Sequence, residues 1–148
     1  MTNKIYLTDT DVKNYTLGII QQMAQDNYKP DVVLGFARGG LVLANFISQF
    51  YNIPMVAINK DTPFTNRVDY DNVLVVDDIN DTGNTLANFY MTYSNRFRSV
   101  KHAVIVNNTA SPFEVEYMGY SYNKIDEPDW VVFPWEQWWV SPTSSVYS

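Results

Sequence analysis

The sequence contains no cysteine, so disulfide bonds, thiolate catalysis and zinc sites built on thiolates are excluded. Positive charge is also scarce, because 10 lysine and arginine residues stand against 16 aspartate and glutamate residues. The formal net charge of -6 and the pI of about 4.5 argue against non-specific binding to nucleic acid or to anionic membranes. The single histidine, His102, lies alone in a predicted strand, which favours a structural role.

Long apolar runs are missing as well. None approaches the roughly 18 consecutive apolar residues that a membrane span requires. Residues 1–11 also lack the basic and then apolar order of a signal peptide. We therefore expect a cytoplasmic protein that binds neither membrane nor nucleic acid.

The chain does contain enough apolar material for one folded domain. Its 148 residues (17.1 kDa) are 46% hydrophobic and 16% aromatic. Apolar runs that suit strands alternate along the chain with segments of helical periodicity. Strands are predicted at 31–36, 53–58, 72–77 and 101–106, and helices at about 8–26, 41–50 and 85–93. This order predicts an α/β fold, with a mostly parallel open sheet flanked by helices on both faces.

The character of the sequence changes after Asn107, where no helical pattern is present. Residues 111–122 alternate loosely, and residues 130–136 are short and aromatic. We expect short strands and loops here that cap the carboxyl edge of the sheet. The predicted organisation is a single domain with a core at about 1–108, a small C-terminal hood at about 109–140 and a tail at 141–148.

The stretch Val73–Thr85 organises the rest of the chain. Four branched apolar residues end in two adjacent carboxylates, Asp77 and Asp78, and a third follows at Asp81. An unbroken apolar run is typical of a strand buried on both faces. The Thr-Gly-Asn-Thr turn that follows can direct backbone N–H groups at a phosphate from the start of a helix. Because three carboxylates would repel a bare anion, we expect a ligand that also carries hydroxyl groups and a metal ion.

This stretch closely resembles the phosphoribosyl pyrophosphate signature of type I phosphoribosyltransferases, in which two residues separate paired acids from an Asp-Thr-Gly-x-Thr loop. Two further segments resemble the purine enzymes of that family. Gly35-Phe-Ala-Arg-Gly-Gly-Leu-Val is similar to their pyrophosphate loop, and Trp130-Val-Val-Phe-Pro-Trp-Glu136 is similar to the hood of the xanthine, guanine and hypoxanthine enzymes. The resemblance covers about residues 31–136 and implies the fold and the activity of that family.

The resemblance implies a donor site at the end of the central strand. Asp77 and Asp78 would accept hydrogen bonds from ribose hydroxyls, and Asp78 would share a Mg²⁺ ion with the sugar and the pyrophosphate. The other substrate-binding positions in this stretch are Ile79, Asn80, Thr82, Gly83, Asn84 and Thr85, of which the last four would hold the 5′-phosphate. Without the resemblance, an ordinary acidic strand end followed by an ordinary helix cap would explain the same residues.

Asp81 is the candidate catalytic residue. As a general base it would accept a proton from a purine ring nitrogen during attack on the sugar. The alternative is that Asp81 only orients the loop.

Arg38, Gly39 and Gly40 are assigned to the pyrophosphate. A guanidinium can fork onto two oxygens, and glycine permits a close approach of the backbone. In the purine enzymes a non-prolyl cis bond commonly precedes the basic residue, so we expect the bond entering Arg38 to be cis. Without the resemblance, these glycines would mark only a tight turn.

In the hood, the resemblance implies that Trp130 stacks on a purine face and that Val131 offers its backbone to the ring edge. Glu136 would lie near the pyrophosphate and the metal. From composition alone, Trp130 would be a residue of the core or of an interface.

Two features depart from the family. Purine enzymes usually carry a lysine after the strand that here ends near Val106, where it reads the exocyclic oxygen of the base, but this chain has Asn107-Asn108-Thr109. An asparagine amide could donate to that oxygen or could read a different base, and Lys101 and Lys124 lie outside the matching segment. The loop 60–70 is also short for a flap that excludes water from the reacting centre.

The expected function is transfer of phosphoribose from Mg²⁺-bound phosphoribosyl pyrophosphate to an oxopurine, giving a nucleoside 5′-monophosphate and pyrophosphate, by a homo-oligomer. Two alternatives stay open. One is a non-catalytic module that senses the donor or a nucleotide, which the short flap and the missing lysine favour. The other is an enzyme of the same fold that uses another base, such as a pyrimidine.

Overall fold

The computed structural model describes residues 3–65 and 70–139. Its strands are β1 (Lys4–Tyr6), β2 (Val32–Phe36), β3 (Met55–Ile58), β4 (Asn72–Asn80), β5 (Ser99–Asn108), β6 (Tyr117–Tyr122) and β7 (Trp130–Val132). Its helices are α1 (Asp9–Gln25), α2 (Gly40–Tyr51) and α3 (Asn84–Tyr93), followed by a 3-10 turn at Ser94–Arg96. The expected tail at 141–148 and the middle of the short loop, residues 66–69, lie outside the described residues.

Five of these strands form one sheet in the order β3-β2-β4-β5-β6. Each neighbouring pair in this sheet is parallel. β4 lies at its centre and pairs with β5 along its whole length. The predicted α/β fold with a parallel sheet is confirmed.

The central strand is buried on both of its faces. Val73, Leu74, Val75 and Val76 are each 0% exposed. Leu74 and Val76 belong to the core shared with α1 and α2, whereas Val73 and Val75 belong to the core shared with α3. This alternation follows from the two-residue period of a strand, and it explains why the sequence shows an unbroken apolar run here.

Helix α1 begins where the sequence predicts it. The backbone N–H of Asp11 donates to Oγ1 of Thr8 at 3.0 Å, and the backbone N–H of Thr8 donates to Oδ2 of Asp11 at 2.9 Å. This reciprocal capping box satisfies two N–H groups that a helix start would otherwise leave unpaired.

His102 is buried in β5, as a structural histidine would be. Its Nδ1 lies 3.0 Å from Oε1 of Glu116, and its ring meets those of Tyr90 and Phe113 edge to face. These contacts fasten the strand to α3 and to the segment before β6.

Two expectations about the sheet are wrong. β4 does not end at Asp77 but continues to Asn80, because its pairing with β5 persists past the acidic residues. Residues 117–122 do not cap the carboxyl edge but form β6, the outer strand of the main sheet beside β5, with Tyr117 and Tyr122 buried. The main sheet therefore extends into the segment that was assigned to the hood.

β1 was not predicted from the sequence. It pairs in parallel with β7 to form a second, two-stranded sheet. A strand of three residues is too short to show an alternating pattern. This pairing ties the start of the described chain to the segment that carries Trp130.

Within the described residues, no helix combines the length and the apolar character that a membrane crossing requires.

Gly119 and Gly18 provide a matched test of how closely α1 packs on the sheet. A methyl group at Gly119 in β6 would overlap Cβ of Tyr15 and lie 2.8 Å from the carbonyl oxygen of Ile105, whereas one at Gly18 in α1 would meet nothing within 4 Å. We expect Gly119→Ala to lower the free energy of unfolding by about 1–3 kcal/mol. Gly18→Ala should raise it by roughly 0.5–1 kcal/mol, since alanine is the better helix former.

Urea denaturation of both variants measures these changes. Equal stability of the wild type and Gly119→Ala would contradict the close contact between α1 and β6.

Candidate functional site

The loop after β2 packs directly on the end of β4. The Ala37–Arg38 peptide bond is cis, as the resemblance implied. A methyl group at Gly39 would overlap the carboxylate of Asp78, and one at Gly40 would lie 2.8 Å from the carbonyl oxygen of Val76. Glycine is therefore required for this backbone to approach the acidic residues. The side chain of Arg38 is exposed at the same edge.

Asp77 and Asp78 lie half-buried at this edge, with Oδ1 of Asp77 accepting a hydrogen bond from the backbone N–H of Asp78 at 2.8 Å. Burial and the neighbouring Asp78 carboxylate raise the pKa of Asp77 to about 8, although the charge of Lys60 opposes this. Burial also raises the pKa of Asp78. The ionised pair is thus poorly solvated, so hydroxyl donors or a cation would be favourable partners for it.

The Thr82–Thr85 turn forms the start of α3. Gly83 is the N-cap residue, has φ 87° and cannot cap the helix with a side chain. The backbone N–H of Asn84 donates to Oγ1 of Thr82 at 3.3 Å, a long hydrogen bond. The first N–H groups of the helix can therefore bind an anion, as the phosphate cradle requires.

Asp81 lies in the turn between β4 and α3, where it is paired with Lys124. The Lys124 ammonium is 2.9 Å from Oδ1 and 3.1 Å from Oδ2 of Asp81. Lys124 follows β6, so this contact joins the central strand to the hood. The contact was not expected from the sequence.

The asparagines near Asp81 form a buried network. Asn80 is 1% exposed, and its Nδ2 donates to Oδ1 of Asn107 at 2.9 Å and to the carbonyl oxygen of Phe113 at 2.8 Å. Nδ2 of Asn108 donates to the carbonyl oxygen of Asp81 at 2.8 Å. Asn80 therefore supports the loop through its side chain, and the substrate contact expected for this residue stays a prediction. Asn107 and Asn108 likewise have their amides engaged within the protein.

A cavity of about 160 Å³ opens between the turn after β4 and the hood. Asp78, Asp81 and Glu136 line it together with Trp130 and Val131. The remaining lining residues are Ile79, Tyr122, Lys124, Asp129 and Phe133. Trp130 is 60% exposed, so one face of its indole can receive a planar ring, whereas the side chain of Val131 is buried. The structure thus brings the expected base-binding residues and the expected catalytic residue to one cavity.

A larger cavity of about 490 Å³ lies beside the phosphate cradle, between residues 59–63 and α3. Phe64 holds this side of the loop against the protein. Its backbone N–H donates to the hydroxyl of Tyr93 at 2.8 Å, and its carbonyl oxygen accepts from Arg96 at 3.1 Å. The described part of the short loop is therefore fixed on α3 and leaves space beside the cradle.

The carboxylates at this edge suit Mg²⁺ but do not form a complete site for it. Asp78 and Glu136 line the same cavity, and the charge of Glu136 adds to the effect of burial on the pKa of Asp78. In residues 3–65 and 70–139, no group of three histidine or acidic side chains could hold a metal ion. Mg²⁺ commonly binds through one or two carboxylates and substrate phosphates, so these donors fit an ion that arrives with a pyrophosphate.

Two lysines of the site received no role from the sequence. Lys60 is the second residue after β3, and the carboxyl end of a parallel strand is a position where ligands bind, so the sequence could have indicated a role for it. Lys124 had no such signal. It lies 43 residues from Asp81 along the chain and reaches it only because β6 joins the sheet beside β5.

The fold and the site define a class of protein: a parallel α/β domain that carries a pair of half-buried carboxylates and the open start of a helix at the carboxyl ends of its strands. The model of the phosphoribosyl transferase domain matches residues 61–140, more than half of the chain. The chain belongs to the phosphoribosyl transferase domain family. A comparison with curated proteins finds no significant match.

Solved structures agree with this assignment. The purine phosphoribosyltransferase of Pyrococcus horikoshii Ot3 is 26% identical, with a TM-score of 0.74 over 96% of this chain and 98% of that chain. The Helicobacter pylori xanthine-guanine-hypoxanthine phosphoribosyltransferase is 20% identical, with a TM-score of 0.77 over 90% and 94%. A hypothetical protein from Neisseria gonorrhoeae with bound ppGpp is 20% identical, with a TM-score of 0.73 over 91% and 90%. The predicted family and fold are confirmed.

Asp77→Asn tests the raised pKa of Asp77 in the ligand-free protein. Between about pH 4 and pH 8, the folded state binds more protons at this group than the unfolded chain does. The group therefore lowers the stability of the folded state as the pH rises through that window. We expect Asp77→Asn to raise the free energy of unfolding at pH 8 by roughly 1 kcal/mol or more, and to change it little below about pH 4.

Urea denaturation at both pH values, without Mg²⁺, measures this difference. Asp126→Asn, at an exposed position in the turn after β6, is the control and should show no such dependence. A variant at Asp77 that is less stable than the wild type at pH 8 would contradict the unfavourable burial of this charge.

Proposed function

We propose that this protein is a purine phosphoribosyltransferase that transfers phosphoribose from Mg²⁺-bound phosphoribosyl pyrophosphate to an oxopurine. The products are a nucleoside 5′-monophosphate and pyrophosphate. The observation that carries the proposal is the meeting of three elements at one edge of the sheet: the glycine loop at Arg38–Gly40, the acidic pair Asp77–Asp78, and the cradle Thr82–Thr85.

Each element suits one part of the donor. The backbone N–H groups at the start of α3 bind the 5′-phosphate, and the two carboxylates accept hydrogen bonds from the ribose hydroxyls. The loop at Arg38–Gly40 binds the pyrophosphate with its guanidinium and its backbone. Asp78 and Glu136 would hold Mg²⁺, which when bound neutralises charge on the departing pyrophosphate.

The reaction exchanges one bond for another at C1 of the ribose. The bond from C1 to the pyrophosphate oxygen breaks, and its electron pair leaves with the pyrophosphate. A ring nitrogen of the base attacks C1, and its proton passes to the carboxylate of Asp81. Asp77 and Asp78 stabilise the positive charge that develops on the sugar, because their oxygens lie at this edge before the reaction begins.

The hood cavity suits the acceptor base. Trp130 stacks on the ring and Val131 presents its backbone to the ring edge, so the attacking nitrogen faces the turn that contains Asp81. The volume of the cavity, about 160 Å³, suits a single base.

Pyrophosphate release tests the proposed activity. Purified protein is supplied with Mg²⁺, phosphoribosyl pyrophosphate and, in turn, guanine, hypoxanthine, xanthine, adenine and uracil. We expect release that requires all three components and is fastest with an oxopurine. Absence of release with every base would overturn the proposal, and a preference for uracil would assign a different acceptor.

Asp81→Asn tests the role of the candidate base. An amide cannot accept the ring proton, so turnover should fall by roughly 100-fold or more. Binding of phosphoribosyl pyrophosphate, measured by calorimetry, should be largely retained because Asp81 lies on the base side of the donor. Unchanged turnover would remove Asp81 from this role.

A second candidate function is a regulatory module that binds the donor or a nucleotide without catalysis. The Neisseria gonorrhoeae protein with bound ppGpp, of similar fold, favours it. The cavity beside the cradle, with Lys60 in its lining, would give space for additional phosphate groups. Calorimetric binding of ppGpp or of the donor, together with no pyrophosphate release from any base, would select this function.

A further inference from the structure

Lys124 occupies a defined position in the hood cavity. Its ammonium contacts both carboxylate oxygens of Asp81, at 2.9 and 3.1 Å. One amide holds the backbones of both partners: Asn108 Nδ2 donates to the carbonyl oxygen of Asp81 at 2.8 Å, and the backbone N–H of Lys124 donates to Asn108 Oδ1 at 3.0 Å. The backbone of Lys124 is therefore fixed relative to Asp81, while the long side chain can still change its partner.

The charge distribution around the cavity makes Lys124 distinctive. Among the described residues that line it, Lys124 carries the sole positive charge. The acidic residues in the lining are Asp78, Asp81, Asp129 and Glu136. An exocyclic oxygen on a bound base would meet repulsion from these carboxylates, so a cationic donor is needed to make its binding favourable.

The ion pair itself can be exchanged at low cost. The side chains of Lys124 and Asp81 are 41% and 40% exposed, and an ion pair at such exposure contributes little to stability. Lys124 and Asp81 also line a second cavity of about 280 Å³, so the side chain of Lys124 has space in which to move.

The neighbouring asparagines cannot take this role. Asn107 accepts from Asn80 and donates to Sδ of Met118, and Asn108 links Asp81 to Lys124. Both are buried. A side chain that donates to an exocyclic oxygen at this end of the cavity must therefore come from an element other than β5. Lys124, in the turn after β6, supplies such a donor.

We propose that Lys124 is the specificity-determining residue for the acceptor base, and that it leaves Asp81 to donate a hydrogen bond to the exocyclic oxygen of an oxopurine. This proposal rests on the proposed function. While Lys124 contacts both oxygens of Asp81, one acceptor position on each oxygen is occupied and the ammonium lies where the ring proton of the base would approach. The exchange of partners frees Asp81, so recognition of the correct base prepares the general base for proton transfer.

An aminopurine is rejected by the same arrangement. Its exocyclic amino group is a poor acceptor, so the ammonium gains no partner by leaving Asp81. Adenine then lacks the hydrogen bond to Lys124 and also meets an Asp81 that is still paired. Discrimination therefore includes both binding and turnover.

Lys124→Met removes the ammonium while keeping the length and apolar stem of the side chain. We expect kcat/KM for guanine and hypoxanthine to fall by about 10–100-fold, and kcat/KM for adenine to stay within about twofold or to rise. Lys124→Arg keeps a charged donor and should retain most of the preference. Lys101→Met removes the Lys101–Asp26 ion pair, at the amino end of the sheet beside α1, and is the matched control.

A merely structural role of Lys124 predicts a different result. Loss of the loop tether would lower turnover of every base by a similar factor, and that outcome, or an unchanged oxopurine preference, would overturn the proposal. The two substitutions should not act independently. In the Asp81→Asn background, Lys124→Met should lower oxopurine kcat by a smaller factor than it does in the wild-type background, because the carboxylate that Lys124 releases is already absent.

Binding of GMP and AMP by calorimetry gives the same comparison without turnover. The wild type should prefer GMP, and Lys124→Met should lose that preference. If no base releases pyrophosphate but this pattern is seen, the proposed enzyme activity fails and the role of Lys124 stands. Equal binding of GMP and AMP by the wild type, or failure to bind either, would overturn the role of Lys124.

Discussion

The packing of the glycine loop on two adjacent carboxylates is the constraint on which the site depends. Asp77 and Asp78 end a strand whose preceding residues are fully buried, so the sheet sets their position. Gly39 and Gly40 then bring the backbone of the next loop against them, which side chains larger than hydrogen would prevent. Two carboxyl groups are consequently held in a partly desolvated place that disfavours the ionisation of both, and a cation or hydroxyl groups would offer the partners that water otherwise provides.

The hood completes this edge through long-range contacts. β7 carries Trp130 to the cavity and is itself held by β1, while the turn after β6 places Lys124 on Asp81. A buried network of asparagines on β4 and β5 fixes the turn that contains Asp81. The proposed donor side of the site is thus built on the sheet, and the proposed acceptor side is built on segments whose positions the sheet controls only indirectly.

Side chains from several different elements meet in the hood cavity. In this chain the segment at Asn107–Thr109, where purine enzymes place a lysine, is committed to internal hydrogen bonds. A cation reaches the same cavity from Lys124 in a different element. What matters for recognition is the position of the charged group in the cavity, so residues from unrelated sequence positions can serve the same chemistry.

Local sequence determined the acidic end of β4, the turn that starts α3 and most of the fold. Buried strands, helix caps and the Asp-Asp-x-x-Asp-Thr-Gly-x-Thr spacing are short-range features, and the physical rules that link them to structure act within a few residues. Only the tertiary structure decided that residues 117–122 complete the sheet, that Asn80 turns inward and that Lys124 pairs with Asp81. These are contacts between residues distant in the sequence, and their geometry exists only after β5 and β6 have paired.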